Sequence, residues 1–314
     1  MSEEHAYDLV ILGGGPAGMA AAIYAARANL KTIVLESNIT GGLVNSTYII
    51  ENFPTYPEIH GMKLMEKMRE HVDSLNIEVE EICEVEKLEL EGPIKRITTD
   101  GGVYTAVAVI LATGRKPIPL ETPTEAEQVH WCAICDGMAY KDKHVLVVGG
   151  GNSAFDEALY MLSIGIARIT LVEMMPRYFA APSTQEQLFK CSDGKAEGFT
   201  STKVTDLVVE DGKLTGAVLQ HTETGEERTI PVDGVFVFLG QSPNNDLFKD
   251  QIELNAQGYI KTDRDMNTSL PGVFGAGDIN EKSYRQITTA MADGTIAALA
   301  AQRYVREQKA SCSA

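Results

Sequence analysis

Basic side chains are scarce in this chain. It has 27 lysines and arginines against 44 aspartates and glutamates, a formal net charge of −17. An acidic surface of that size repels phosphate backbones and anionic headgroups, which argues against nucleic acid and membrane surfaces as partners. Long apolar runs are missing as well, and no segment reads as a membrane span. The opening Met1-Ser2-Glu3-Glu4-His5 is acidic and runs into a strand, unlike a secretory signal, so the expected location is cytoplasmic. Cysteine is sparse: Cys83, Cys132, Cys135, Cys191 and Cys312 are all there is in 314 residues. An odd, scattered set of this kind is not a structural disulfide framework. What remains is 44% hydrophobic and 23% charged, the balance of a globular protein with length enough for two domains.

Two segments share one order of elements. In the first, an apolar strand over Tyr7–Leu12 leads into Gly13-Gly14-Gly15-Pro16-Ala17-Gly18. An alanine-rich helix from Met19 to about Ala28 follows, then a strand over Thr32–Leu35 ending at Glu36. Strand, glycine loop, helix, strand and acid form a dinucleotide-binding unit. Gly13 permits the tight turn, Gly15 admits a pyrophosphate to the backbone, and Gly18 lets helix pack on strand. The helix N-terminus offers N–H groups to the phosphates, and Glu36 stands where ribose hydroxyls would bind. The order returns with a strand at Val145–Val148, the loop Gly149-Gly150-Gly151-Asn152-Ser153-Ala154, a helix from Phe155 to about Leu162, and a strand at Ile169–Val172 ending at Glu173.

The apolar strand Ala106–Leu111 followed by Ala112-Thr113-Gly114 has an echo at Val235–Gly240, and a proline follows each, Pro117 and Pro243. Strand, glycine, then proline marks a crossing between domains. The expected fold is α/β, with two Rossmann-like dinucleotide-binding domains, the second inserted into the first. Residues 1–116 and 244–314 form one, and residues 117–243 the other.

Between the loops lies Trp131-Cys132-Ala133-Ile134-Cys135-Asp136-Gly137. A C-x-x-C pair is half a zinc site, two unrelated core cysteines, or a redox disulfide. No histidine cluster supplies further ligands, and the neighbouring nucleotide loops favour the redox reading. Cys83, Cys191 and Cys312 read as bystanders. Near the C-terminus stands Gly275-Ala276-Gly277-Asp278-Ile279, and Tyr284-Arg285-Gln286-Ile287 precedes an alanine-rich helix from about Thr288. An aspartate beside glycines suits a ribityl hydroxyl of a flavin.

These stretches, with Gly41-Gly42 and Ile50-Glu51-Asn52-Phe53-Pro54, resemble the low-molecular-weight, flavin-dependent thioredoxin reductases over nearly the whole chain. The resemblance implies FAD in the discontinuous domain, held by Gly13, Gly15, Gly18, Glu36, Gly42, Asn52, Thr113, Gly114, Asp278, Arg285, Gln286 and Ile287. It implies a homodimer and a domain rotation that presents the dithiol alternately to flavin and to a partner protein, thioredoxin or a similar disulfide. It further implies that Cys135 faces the flavin, that Cys132 attacks the partner, and that Asp136 donates the proton.

Two departures stand out. Leu43 replaces the glutamine that usually follows Gly41-Gly42. Where NADPH-dependent members carry His-Arg-Arg-x-x-x-Arg, this chain has Glu173-Met174-Met175-Pro176-Arg177-Tyr178-Phe179. Glu173 would repel a 2′-phosphate and accept ribose hydroxyls, so NADPH is disfavoured and NADH favoured. Gly149, Gly151, Ala154 and Glu173 are the nicotinamide-site candidates. The acid resembles that of NADH-linked alkyl hydroperoxide reductase flavoproteins. The run also resembles nicotinamide-independent, thioredoxin-reductase-like proteins of archaea and anaerobes, for which ferredoxin or another low-potential donor is the alternative. A peroxiredoxin reductase and a flavin-bound redox sensor without turnover are the remaining alternatives.

Overall fold

The computed structural model describes residues 4–47, 49–190 and 192–312. Cys191 lies outside the described residues, and of Cys312 only the backbone is described. The chain divides into two compact units, Met1–Lys116 with Ser242–Ala314, and Pro117–Gln241.

The first unit is built on a seven-stranded sheet. Glu4–Leu12 is its central strand, parallel to Thr32–Leu35 on one side and Val103–Leu111 on the other. Glu78–Glu80 extends the parallel part beyond Thr32–Leu35. Lys95–Thr99 and Val85–Glu89 continue antiparallel beyond Val103–Leu111, and Val273–Gly275 pairs parallel with the end of that strand.

The second half of the central strand, Leu9–Leu12, is apolar because both of its faces are covered. Leu9 and Ile11 enter the cluster beneath the helices Pro16–Arg27, Gly61–Ser74 and Ile287–Cys312, whereas Val10 and Leu12 enter the cluster on the opposite face. This is the two-residue alternation of a strand. Two of the helices meet at small residues: a Cβ on Gly294 would lie 2.0 Å from the Ala17 carbonyl oxygen. Across the sheet, the fully buried Lys95 donates from Nζ to the carbonyls of Gly92 and Pro271, at 2.6 and 2.7 Å. Three donors on one buried ammonium need such acceptors.

The second unit repeats the plan. Its five-stranded parallel sheet runs in the order Ala196–Phe199, Arg168–Val172, His144–Val148, Gly234–Val237, Val129–His130. Val145 and Val147 face the helices Asn152–Ser163 and Pro182–Lys190, and Leu146 and Val148 face the other way. That second face is covered by an antiparallel meander, Thr202–Glu210, Lys213–His221 and Glu227–Pro231.

Both loop helices start three residues earlier than their apolar patterns suggest, at Pro16 and at Asn152. The reason is local. Gly15 and Gly151 are N-caps in extended conformation, and Pro16 occupies the first helical position, where its missing N–H costs nothing.

Candidate functional site

In the first unit the glycines do separate jobs. Gly13 has φ +107°, and a Cβ there would lie 2.4 Å from the Ala112 carbonyl oxygen. Its own N–H donates to Leu35 at 2.8 Å. A Cβ on Gly18 would lie 1.8 Å from the Gly13 carbonyl oxygen, so only glycine lets the helix sit that close. Gly15 is the reverse case: a Cβ there would meet no heavy atom within 4 Å, and space is open in front of it. Gly41 donates its N–H to Gly14 at 2.9 Å, and a Cβ on Gly42 would lie 3.5 Å from the Gly15 Cα. Leu43 lies in the short turn Gly42–Ser46 that follows.

The helix behind this loop has no side-chain cap and no acid in its first turn. Its leading N–H groups and dipole are therefore available to an anion. Glu36 is buried, with Oε2 accepting the Gly14 N–H at 2.6 Å and Oε1 the Asn38 N–H at 2.9 Å. Gly277, at φ +83°, lies close to the same helix, where a Cβ on it would be 2.8 Å from the Ala17 Cβ. This places Asp278 near the loop.

The remaining candidates of this unit have distinct surroundings. Thr113 donates its hydroxyl to the Asn244 carbonyl at 2.7 Å, and Gly114 has φ +62° with open space at its Cβ position. Asn52 donates from Nδ2 to Gln286 at 3.2 Å, and Ile287 is the first residue of the long helix. The Arg285 guanidinium lies 4.1 Å from the Tyr259 ring centroid. Asp278 Oδ1 and Arg285 Nε are among the buried polar atoms that find no partner among the described residues. Burial pushes the Asp278 carboxyl above its ordinary value, against the pull of Lys282, Arg115 and Arg285. Leaving such atoms unsatisfied costs about 1–3 kcal/mol each, so they call for a polar ligand. An open glycine cradle, an anion-binding helix end and orphaned acceptor and donor atoms fit a flavin dinucleotide, with its phosphates and hydroxyls.

The second unit reproduces the loop. Gly149 has φ +125°, its N–H donates to Val172 at 2.9 Å, and a Cβ would lie 2.3 Å from the Phe238 carbonyl oxygen. Gly151, like Gly15, faces open space. Ala154 is fully buried where the first loop has Gly18. The Glu173 carboxylate is buried, accepts the Met175 N–H at 2.8 Å, and lies so close to Gly150 that a Cβ there would be 2.7 Å from Oε2. Beyond it Met174, Met175 and Phe179 are exposed, and the Arg177 guanidinium rests 5.3 Å from the Phe179 ring centroid.

Cys132 and Cys135 form a disulfide, with Cα atoms 5.3 Å apart. Cys132 caps the short helix Ala133–Asp136, its Sγ accepting the Cys135 N–H at 3.1 Å. Asp136 ends that helix with its carboxylate 3.4 Å from His130 Nδ1, and His130 Nε2 lies 2.6 Å from the Tyr140 hydroxyl. Burial lowers the His130 pKa, Asp136 opposing, and burial raises that of Tyr140. A neutral imidazole that donates from Nδ1 must accept at Nε2, so Tyr140 donates. His130 and Tyr140 escape a reading of the sequence, because neither is spaced as a motif with the cysteines. Among the described residues, no group of three or more His, Cys, Asp and Glu is placed to hold a metal ion. None of the described helices is long and apolar enough to cross a membrane.

Comparison with known proteins agrees with this architecture. Residues 7–294 match the pyridine nucleotide-disulphide oxidoreductase family. The 34.2 kDa protein in the rubredoxin operon of Clostridium pasteurianum is 41% identical over 309 residues, covering 97% of this chain and 99% of that one. Thioredoxin reductase of Bacillus subtilis is 39% identical over 314 residues, covering 98% and 97%. The crystal structure of Lactococcus lactis thioredoxin reductase superposes with a TM-score of 0.87 at 36% identity, covering 96% of this chain and 99% of that one. Similarity of this extent, in sequence and in fold, means that the chain belongs to the pyridine nucleotide-disulphide oxidoreductase family, as an enzyme of the low-molecular-weight thioredoxin reductase type.

Proposed function

We propose that the protein is an FAD-dependent reductase of thioredoxin or a similar protein disulfide, and that its electron donor is NADH. The observation that carries the reading is the Cys132–Cys135 disulfide, next to Asp136 and in one compact unit with a second glycine loop. Relatives named thioredoxin reductase along the full length supply the partner class. Bound FAD supplies two-electron chemistry able to open a disulfide. The chain's own residues do the rest. Gly13, Gly15, Gly18 and Gly42 shape the cradle for the pyrophosphate, and Glu36 accepts ribose hydroxyls. Asp278 and Arg285 offer the unpartnered atoms that a ribityl chain and ring system would satisfy. Thr113, Gly114, Asn52, Gln286 and Ile287 complete that site. Cys132 attacks the partner disulfide, Cys135 resolves the mixed disulfide, and Asp136 moves the proton.

NADH rather than NADPH follows from Glu173. At about 5 Å and an effective dielectric of about 20, a carboxylate and one phosphate charge repel by about 3 kcal/mol, roughly a hundredfold in affinity. Met174, Met175 and Phe179 offer no compensating cation. A second reading, a low-potential donor such as ferredoxin, is favoured by one observation. The exposed apolar residues beside Glu173 leave no polar side chain of their own for a nucleotide phosphate.

The test is anaerobic bleaching of the flavin by NADH, NADPH and reduced ferredoxin in parallel, followed by thioredoxin reduction. Bleaching by NADH alone supports the reading. Bleaching by ferredoxin alone transfers the assignment to the second reading, and efficient bleaching by NADPH removes both.

A further inference from the structure

The helix Asn152–Ser163 packs against the dithiol helix and brings to it a carboxyl group that the reaction outlined above does not use. The Glu157 carboxylate accepts the backbone N–H of Ala133, the residue that follows Cys132. Its Oε2 is buried and meets no donor among the described residues. The Cys135 amide, two residues further on, is committed to the Cys132 Sγ. Of the amides of this turn, that of Cys135 is thus held by a sulfur, that of Ala133 by a carboxylate and that of Asp136 by the Cys132 carbonyl.

We propose that Glu157 is a positioning residue for the dithiol: it holds the Ala133 amide in place and takes up a proton from solvent when the Cys132–Cys135 bond is opened. The proposal rests on the disulfide-reductase reading. The physical reason is charge. Opening the S–S bond takes two electrons and leaves two negative charges on the sulfurs. At neutral pH one proton goes to one sulfur. The other sulfur remains a thiolate if a second proton goes to a nearby carboxylate instead. A buried carboxyl at the foot of the same turn can accept it. Burial, with Asp156 adding and the Ala133 bond opposing, pushes the Glu157 pKa up to about 7, so the group changes state at working pH.

Asp156 apart, the other charges around the helix are disposed elsewhere. Asp156, on the same helix, is exposed. Asp136, at the end of the dithiol helix, faces His130, with Tyr140 behind it. Glu186 and Lys190 on Pro182–Lys190 pair with each other at 2.9 Å. On the adjacent strands His144 contacts Thr170 at 2.9 Å, and Arg168 pairs with Glu197 at 2.8 Å.

The experiment needs neither donor nor partner protein, so it stands or falls separately from the assigned function. The flavin-loaded enzyme is reduced with dithiothreitol, which leaves as its cyclic disulfide. The Cys132 and Cys135 thiols are then alkylated with iodoacetamide over a pH series, and the sites are assigned by mass spectrometry. Glu157→Gln keeps an acceptor for the Ala133 amide and loses only the charge. Its alkylation midpoint should fall by about half to one pH unit, and the wild-type two-stage curve should become single-stage. A midpoint within about 0.2 unit of wild type would show that Glu157 only holds the backbone, and would overturn the proposal. An equal fall in Asp156→Asn would also overturn it, because general surface charge would then suffice. Wild type gives a second reading that needs no variant of this residue. Infrared difference spectra of oxidised against reduced protein should show a protonated carboxyl appearing, and the band should persist in Asp136→Asn. No such band, or its loss in Asp136→Asn, defeats the proposal.

Discussion

Asp136 reaches back over the dithiol turn to His130, its carboxylate 3.4 Å from Nδ1, and His130 in turn meets the Tyr140 hydroxyl at 2.6 Å. The arrangement fixes the carboxylate beside the disulfide and leaves a hydrogen-bonded path behind it. Asp136→Asn should lower turnover of a protein disulfide by roughly a hundredfold, the usual scale of a general acid–base contribution. Flavin content should stay at the wild-type level. Steady-state rates together with the flavin absorbance ratio check this, and unchanged turnover would remove Asp136 from the proton's route.

The two cysteines should be separable by trapping. Cys135→Ser leaves Cys132 as the lone exchange thiol, and it should hold thioredoxin as a stable mixed disulfide. Cys132→Ser should not. Non-reducing gels with mass assignment of the linked peptides read the result, and the opposite preference would exchange the two roles.

The first glycine loop predicts a contrast between folding and binding. Gly15→Val places its side chain in open space, so the apoprotein should melt like wild-type apoprotein. The side chain would occupy the room that a pyrophosphate needs, weakening FAD by at least about tenfold, or about 1.4 kcal/mol. Gly18→Val meets the Gly13 carbonyl oxygen and should instead destabilise the apoprotein itself. Flavin titration and apoprotein melts distinguish the two cases. Full flavin affinity in Gly15→Val would move the pyrophosphate elsewhere.

Gly294→Ala probes the crossing of the helices Pro16–Arg27 and Ile287–Cys312. Its Cβ would lie 2.0 Å from the Ala17 carbonyl oxygen, and backbone there cannot yield without shifting a helix. Overpacking of this kind costs about 1–3 kcal/mol. Urea denaturation should show a lower midpoint with an unchanged slope; a midpoint equal to wild type would mean that the crossing is loose.

Donor preference should move with charge. Glu173→Ala combined with Met174→Arg and Met175→Arg removes a repulsion and adds two cations at exposed positions. The NADPH-to-NADH ratio of kcat/KM should rise by roughly ten- to a hundredfold. A flat ratio, with both nucleotides used, would place nucleotide discrimination outside this segment.

Much of the architecture follows from residues close together in the chain. Leu9-Val10-Ile11-Leu12 and Val145-Leu146-Val147-Val148 are apolar on both faces, and that alone demands a parallel sheet covered on two sides. The spacing of Gly13, Gly15 and Gly18, and of Gly149, Gly151 and Ala154, demands a tight strand-to-helix turn, because backbone sterics act over a few residues. The Cys132/Cys135 spacing likewise brings two sulfurs within bonding reach on one turn.

Tertiary structure decided what has no local signature. Glu36 and Glu173 end their strands in the sequence, but only folding shows them held by loop amides, at Gly14 and at Met175. Asn52 and Gln286 are 234 residues apart and hydrogen-bonded. Lys95 is a surface residue by composition and a fully buried one in fact, because Gly92 and Pro271 point carbonyls at it. His130, Tyr140 and Glu157 meet the dithiol turn or one another through contacts between separate elements, and such contacts exist only once strands and helices have packed. Backbone conformation is set by neighbours in sequence, whereas the environment of a polar group is set by whatever the fold places against it.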